Sequence, residues 1–420
     1  MTALAPIQHR KRGACPGLSA PIATGDGLLV RLQSIGTIPL AAFRELCAAA
    51  RTYGNGIIEI TSRGSVQVRG LTAASAPRFA NNVAALDIAA EDGVPVLCNP
   101  LAGLAEEIFD AAAFGAELRR ALARQAMNER LGAKVSVAID GGSTLGLDAI
   151  AADIRICADA VDGDVALCIA AGGDAANAVP LGSIARGDGV EAIMRLLDVI
   201  ARRGRDARAR DFPASVFGST IAEFLISARP RKVSSPQEAI GQHPLRDGSM
   251  VCGIGLAFGH AGAASLEHLI EAARAAGAIG LRAAPGRVLM TIGFPVGAAN
   301  GFLCVAEKLG FITRANDPRR HVIACAGAPI CASAYFASRA MAPHITEIAA
   351  PYLSGSHTIH LSGCAKGCAH AAPASLTVVG SADGCALVAN GSAHGAPFAV
   401  VTADELPDAI VAHMREASHG

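Results

Sequence analysis

Tryptophan is absent from this 420-residue chain and aromatic residues make up only 4% of it. Stacking platforms of the kind that hold single-stranded nucleic acid are therefore scarce. Lysine plus arginine equals aspartate plus glutamate at 36 each, so no net charge draws the chain to a polyanion. An apolar leader is also missing after Met1, and twelve cysteines without one argue against a secreted disulfide framework and for reduced thiols in a cytoplasm. Mean hydropathy is +0.38, and uncharged windows of membrane-spanning length occur at 248–266 and 288–306. Gly293, Pro295 and Asn300 break the second, and the first reads as a strand, a Gly-rich turn with His260, and a helix start. A soluble protein is expected.

What is present is a repeat. Residues 43–71 align without gaps on 266–294, sharing Leu46/Leu269, Ala49-Ala-Arg51/Ala272-Ala-Arg274, Gly54/Gly277 and Gly70/Gly293. The hydrophobic periodicity of each copy predicts strand, helix, strand, turn, strand: 28–32, 39–52, 57–60 and 66–69, then 250–256, 265–276, 279–282 and 288–292. A further helix follows each, near 75–85 and 298–309. These βαββα units resemble halves of a ferredoxin-like fold. Behind each comes a stretch of apolar strands alternating with Ala-rich helices, as at 134–139 and 376–379. The expected fold class is α+β: two ferredoxin-like halves, 1–90 and 247–315, forming one pseudo-twofold domain, with α/β domains of mixed sheets at 91–230 and 316–420. The polar, Pro-containing run 227–236, continuing to Gly248, reads as the linker between halves.

Two cysteine pairs carry the chemistry. Cys325-Ala-Gly-Ala-Pro-Ile-Cys331 and Cys364-Ala-Lys-Gly-Cys368 each follow a short β-like run, at 321–324 and 358–361. Both pairs should emerge at the carboxyl ends of strands, where open α/β sheets build sites. Four thiolates from loops, with Gly327, Gly363 and Gly367 letting backbone N–H groups approach, suit a 4Fe-4S cluster. A structural zinc site in a non-catalytic protein is the rival use of four cysteines, although a five-residue gap is unusual for zinc. Cys47 shares a helix face with Phe43, Leu46 and Ala50, which makes it a core residue. The run Gly253-Ile-Gly-Leu-Ala-Phe-Gly259 has spacing one residue too long for a dinucleotide fingerprint, so electrons should come from a separate reductase.

The duplicated half and the Cys-x5-Cys and Cys-x3-Cys pairs together resemble the sulfite and nitrite reductase hemoprotein superfamily. That resemblance implies a 4Fe-4S cluster on Cys325, Cys331, Cys364 and Cys368, the last of which bridges to siroheme in the reductases. It also makes Thr61-Ser-Arg-Gly-Ser-Val-Gln67 the strand-turn-strand motif that grips tetrapyrrole carboxylates, with Thr61, Arg63 and Gln67 facing the macrocycle. Of four basic positions around the reductases' anion, Arg31 and Lys134 are kept. The other two are lost: Glu91-Asp-Gly-Val-Pro-Val-Leu97 offers no arginine, and Ser136 stands where a second lysine would be. A small divalent anion would lose charge-assisted hydrogen bonds there.

The runs Arg12-Gly-Ala-Cys-Pro-Gly-Leu18, Thr24-Gly-Asp-Gly-Leu-Leu-Val-Arg31 and Ser362-Gly-Cys-Ala-Lys-Gly-Cys-Ala-His370 are similar to the superfamily's monooxygenase branch, the precorrin-3B synthases. This implies a tetrapyrrole substrate, precorrin-3A, O2 as co-substrate, hydroxylation at C20 with γ-lactone closure, and NADH as indirect electron source through an external reductase. It further implies a mononuclear non-haem iron; such sites favour two histidines and a carboxylate, and His260, His357, His360 and His370 are candidates only because they flank the cluster loops or the duplicated strand, with no spacing that singles out a triad. Arg63, Arg69 and either Arg282 or Arg287 become candidates for substrate carboxylates, since arginine suits bidentate recognition. Lys134 and Arg31 would face the ring centre as candidate catalytic residues, and Cys15 is a candidate for approaching the substrate. A siroheme-dependent sulfite or nitrite reductase is the alternative activity. Internal duplication already pairs the halves, which is compatible with a monomer.

Overall fold

The computed structural model describes residues 16–91, 93–161, 164–227, 237–355 and 357–417. Cys15 and residues 228–236 of the expected linker lie outside them. Among the described residues no helix is long and apolar enough to cross a membrane.

The fold is α+β, built on two related antiparallel sheets and two related mixed ones. In the first sheet the strands run in the order Ile22–Thr24, Gly27–Ser34, Val66–Leu71, Ile57–Ile60, His260–Gly262, with Ala90–Glu91 alongside Gly27–Ser34. In the second the order is Gly241–Pro244, Met250–Gly255, Val288–Phe294, Gly280–Ala284, Ile38–Pro39. Each sheet is thus completed by a strand from the other half: Ile38–Pro39 pairs with Gly280–Ala284, and His260–Gly262 with Ile57–Ile60. An edge strand left bare would be open to foreign pairing, and the exchange covers both edges.

Helix Leu40–Tyr53 forms because Leu40, Phe43, Leu46, Cys47 and Ala50 recur at helical spacing, and Gly54 receives the chain where the helix stops. Its counterpart Ala263–Ala275 buries Leu266, Leu269, Ile270 and Ala273. The two helices pack together, tied at their exposed margins by Arg44–Glu271 at 3.3 Å and Arg51–Glu267 at 3.0 Å. A single apolar core runs through both halves and includes Cys47, as the periodicity indicates. Burial pushes the Cys47 thiol pKa up, in keeping with an inert core residue.

The duplicated turns meet where the halves join. Gly286 N–H donates to the Ser62 carbonyl at 3.1 Å, and Arg63 bridges to Pro285. Gly64, at φ +79°, leaves so little room that a Cβ would lie 2.8 Å from the Ala284 carbonyl carbon.

The first mixed sheet has six strands, of which Val96–Cys98, Val137–Asp140 and Ala152–Val161 are parallel. In the second, Val322–Ala324, Ile359–Ser362 and Ala374–Ser381 are parallel, and Gly384–Gly391 and Ala399–Val401 continue antiparallel. Helix Ala111–Arg124 covers one sheet and Ser338–Ala349 the other.

Two expectations change. The second half's sheet begins at Gly241–Pro244, upstream of residue 247, inside the stretch read as linker. Its polar content disguised it, and Pro244 is tolerated because this is an edge strand. The Gly-rich turn with His260 is in part a strand, His260–Gly262, recruited by the opposite half.

Gly36 offers a control for Gly64, because its φ is +74° but nothing lies within 4 Å of the place a methyl group would take. Gly36→Ala should cost about 1–2 kcal/mol, the left-handed penalty alone. Gly64→Ala should cost about 1–3 kcal/mol more from overpacking the junction. Urea unfolding of the two variants checks the difference.

Candidate functional site

Parallel pairing sets Ala324 opposite Leu361, so Cys325 and Gly363-Cys364 leave the sheet at the same end. Cys325 N–H donates to the Leu361 carbonyl at 3.2 Å, and Gly363 N–H donates to Cys325 Sγ at 3.1 Å. The first cysteine loop folds back on the second: Tyr335 N–H reaches the Gly363 carbonyl at 2.8 Å, and Lys366 Nζ reaches Ser333 Oγ at 3.0 Å. A Cβ on Gly363 would sit 2.7 Å from Ala334 Cβ, so only glycine lets the loops touch. The first half reaches in as well, with Gly25 against Cys331 Sγ and its carbonyl accepting from Ala332 N–H at 2.9 Å.

The donor set fits an iron–sulfur cluster: four cysteines on two touching loops, one sulfur already accepting a backbone N–H. Among the described residues no three or more His, Cys, Asp or Glu are grouped as they would be around one metal ion.

Facing these loops is a row of polar side chains across the first sheet. Strand alternation turns Ile58 and Ile60 into the core and Glu59 to the other face. Register places Arg31 beside Gln67, Gln67 beside Glu59, and Glu59 beside His260. Arg31 donates to Gln67 Oε1 through Nε and Nη2 at 3.0 and 2.7 Å, and Gln67 Nε2 donates to Glu59 Oε2 at 3.0 Å. Arg69 grips Asp26 with two bonds of 2.8 Å and lies 3.4 Å from Glu59. Arg339, from the helix after the first cysteine loop, donates to the other Glu59 oxygen at 2.9 Å. Glu59 thus joins the row to the cysteine domain. Burial disfavours the Asp26 charge, but the hydrogen bonds and charge of Arg69 outweigh it and hold the carboxyl below its usual range. Cys368 lies near enough for its charge to act on Arg69. A cavity of about 350 Å³, lined by Ile57, Phe258, His260, Phe311, Arg339 and Pro343, opens beside Glu59.

The remaining candidates are placed as follows. Thr61 Oγ1 accepts Ser65 N–H at 3.0 Å and shapes the turn. Arg63 reaches the first α/β domain, donating to Ser136 Oγ at 3.3 Å and the Ala151 carbonyl at 2.9 Å. Lys134 is exposed in the turn before strand Val137–Asp140. Arg282 is taken by the carbonyls of Pro100 and Ala102 and by Thr37 Oγ1, and burial lowers its pKa to about 10, so it clamps domains together instead of awaiting a ligand. Arg287 donates to the Ala369 carbonyl at 3.2 Å, over the second cysteine loop.

The histidines form no triad among the described residues. His357 stands at the amino end of strand Ile359–Ser362, opposite the cysteines, which removes it from the site. His360 is fully buried on that strand, both its ring nitrogens lack partners among the described residues, and burial brings its pKa down to about 4. Its ring packs edge-on against His370 at 5.6 Å. His260 is likewise driven to about 4, mainly by burial and then by Arg339. No mononuclear iron site is derived from these residues.

Asp26, Glu59, Ser338 and Arg339 also border the candidate site, and the sequence patterns did not single them out. Glu59 had a signal, since residues 57 and 59 alternate with an apolar face and share a side with 67 and 69. Arg339 had none, because nothing in a helix after a loop says which strand it will meet.

Residues 21–86 match the family of the nitrite/sulfite reductase ferredoxin-like half domain. The Mycobacterium tuberculosis NirA protein superposes with a TM-score of 0.73 at 20% identity, covering 91% of this chain and 79% of that one. That likeness concerns the fold. A precorrin-3B synthase from Sinorhizobium sp is 39% identical over 397 residues, 94% of this chain and 86% of the relative. The chain belongs to the precorrin-3B synthase family. As a member of the precorrin-3B synthase family it is an enzyme, an oxidoreductase of cobalamin biosynthesis, on a nitrite/sulfite reductase frame.

Asp26 and Arg69 test how this polar row is held, because their side chains are only 1% and 12% exposed. Arg69→Leu should cost about 3–5 kcal/mol at pH 7 by stranding a buried carboxylate. Asp26 has a depressed folded pKa, so the pair's contribution is present above the unfolded value and lost as pH falls through the folded one. The deficit of Arg69→Leu should therefore shrink below about pH 4, and Arg69→Leu with Asp26→Asn should lose less than the sum of the single changes. Denaturant titrations across pH measure both.

Proposed function

We propose that this chain catalyses the oxygen-dependent conversion of precorrin-3A to precorrin-3B, hydroxylating C20 and closing the ring A acetate to a γ-lactone. The observation that carries the reading is the bond from Arg339 to Glu59, which joins the polar row of the first sheet to the helix that follows the first cysteine loop. Likeness to a precorrin-3B synthase along nearly the whole chain supports the substrate.

In this reading one oxygen atom enters the substrate and the other leaves as water, taking two electrons and two protons. Cys325, Cys331, Cys364 and Cys368 hold a 4Fe-4S cluster, which when bound supplies electrons one at a time. The electrons originate in NADH and arrive through an external reductase. The chain's own task is to bind and orient a polycarboxylate. Arg31 and Gln67 line the ring face, Thr61 and Arg63 shape the turn at its margin, and Lys134 meets the substrate at the exposed rim. Arg69 acts through Asp26 and Glu59, which occupy its guanidinium. The Arg31 guanidinium, held by Gln67, is poorly disposed to serve as an anion clamp for sulfite or nitrite. Precorrin-3A carries no metal, so the cleft needs no siroheme. A chain with no membrane-crossing helix among its described residues and reduced thiols suits a cytoplasmic site of action.

Anaerobic purification with metal analysis tests the cofactor. Equimolar iron and acid-labile sulfide, a broad brown absorption without siroheme bands, and loss of both in Cys364→Ser are expected. Siroheme bands with sulfite or nitrite turnover would overturn the reading in favour of a reductase, and zinc without sulfide would remove the cluster from it.

A further inference from the structure

Ser338 opens the helix Ser338–Ala349 and is fully buried. Its Oγ lies 3.2 Å from Cys325 Sγ and 3.2 Å from the Cys325 carbonyl oxygen. Gly363 N–H meets the same sulfur at 3.1 Å from the other loop. Two features pin the hydroxyl in place. Gly327, at φ +67°, passes so close that a Cβ there would lie 2.5 Å from Ser338 Oγ and 2.6 Å from its nitrogen. The next residue, Arg339, is anchored to Glu59 on the opposite side of the site.

A hydroxyl has one proton and Ser338 has two acceptors within reach. When Cys325 is a thiolate ligand it has no proton to give, so the hydroxyl is the donor of the pair. The charged sulfur is then the stronger acceptor, because bonds to ionised groups exceed those to neutral carbonyls. Reduction of a cluster places more negative charge on its sulfurs, and a donor aimed at one of them stabilises the reduced form more than the oxidised one.

We propose that Ser338 is a tuning residue whose hydroxyl donates to the Cys325 sulfur and raises the reduction potential of the cluster. The inference rests on the reading that Cys325 and its three partners hold a 4Fe-4S cluster. It adds a specific outer residue that makes the cluster easier to reduce by the external donor, and it ties that residue through Arg339 and Glu59 to the substrate wall.

Redox titration of the anaerobically purified holoprotein, followed by electron paramagnetic resonance, tests it with Ser338→Ala and Ser338→Thr. All three proteins should carry equal iron and sulfide. At a fixed solution potential the ratio of reduced to oxidised cluster in Ser338→Ala should fall about fivefold, a shift of ~40 mV to lower potential for one electron, and Ser338→Thr should restore it. Fully loaded Ser338→Ala with the wild-type potential would overturn the proposal and assign the hydroxyl to the carbonyl. Electron-nuclear double resonance of the reduced, deuterium-exchanged wild type gives a readout that does not depend on how the variant folds. A second exchangeable deuteron coupled to the cluster beside that of the Gly363 amide supports the bond, and its absence contradicts it. Wild-type protein without iron and sulfide would remove the cluster reading itself, and this proposal with it.

Discussion

The exchange of edge strands between the halves is the constraint on which the rest of the molecule depends. Ile38–Pro39 and His260–Gly262 each leave their own half to finish the sheet of the other. Neither sheet has its full width without the partner, and the apolar core runs through both. The duplicated turns consequently approach backbone to backbone at Gly64 and Ala284-Pro285, a contact only a glycine at positive φ permits. A duplicated sequence has become one cooperative unit in which a change in one half is felt in the other.

The site follows from that exchange. Because His260–Gly262 pairs with Ile57–Ile60, a histidine from the second half stands beside Glu59 and extends the Arg31–Gln67–Glu59 row across four strands. Asp26, Arg69, Glu59 and Arg339 are all largely buried, so each charge is tolerable only with its partner present. Such a network fixes geometry more than it adds stability. Here it fixes the orientation of the Gln67 amide, whose oxygen meets a cation and whose nitrogen meets an anion. It also holds the helix behind Cys325 against the polar row of the first sheet.

Much of this was legible in the chain. Clean alternation made 57–60 and 66–69 readable as strands, and helical spacing revealed both copies of the duplicated helix. The two cysteine pairs announced their loops because each follows a buried parallel strand with few polar residues. The failures share a cause, which is that long-range pairing overrides local pattern. Gly241–Pro244 looks like linker because its partner strand, not its own residues, makes it β. His357 and His360 look equivalent beside the second cysteine pair, yet His357 stands before the strand Ile359–Ser362 and His360 lies buried on it. Arg282 reads as a carboxylate binder until the carbonyls of Pro100 and Ala102 arrive from another domain. Glu59 is half legible: its face could be read, but its partner Arg339 could not be foreseen.

The central claim is that a reductase frame here inserts oxygen into a tetrapyrrole. Incubating the cluster-loaded protein with precorrin-3A and a chemical or enzymatic electron donor under oxygen-18 gas, with mass analysis of the product, addresses it most directly. The expected product carries one oxygen-18 atom taken from the gas and none from labelled water at that position. Product formation without gas-derived oxygen, or no change in precorrin-3A while sulfite or nitrite is reduced, would contradict it.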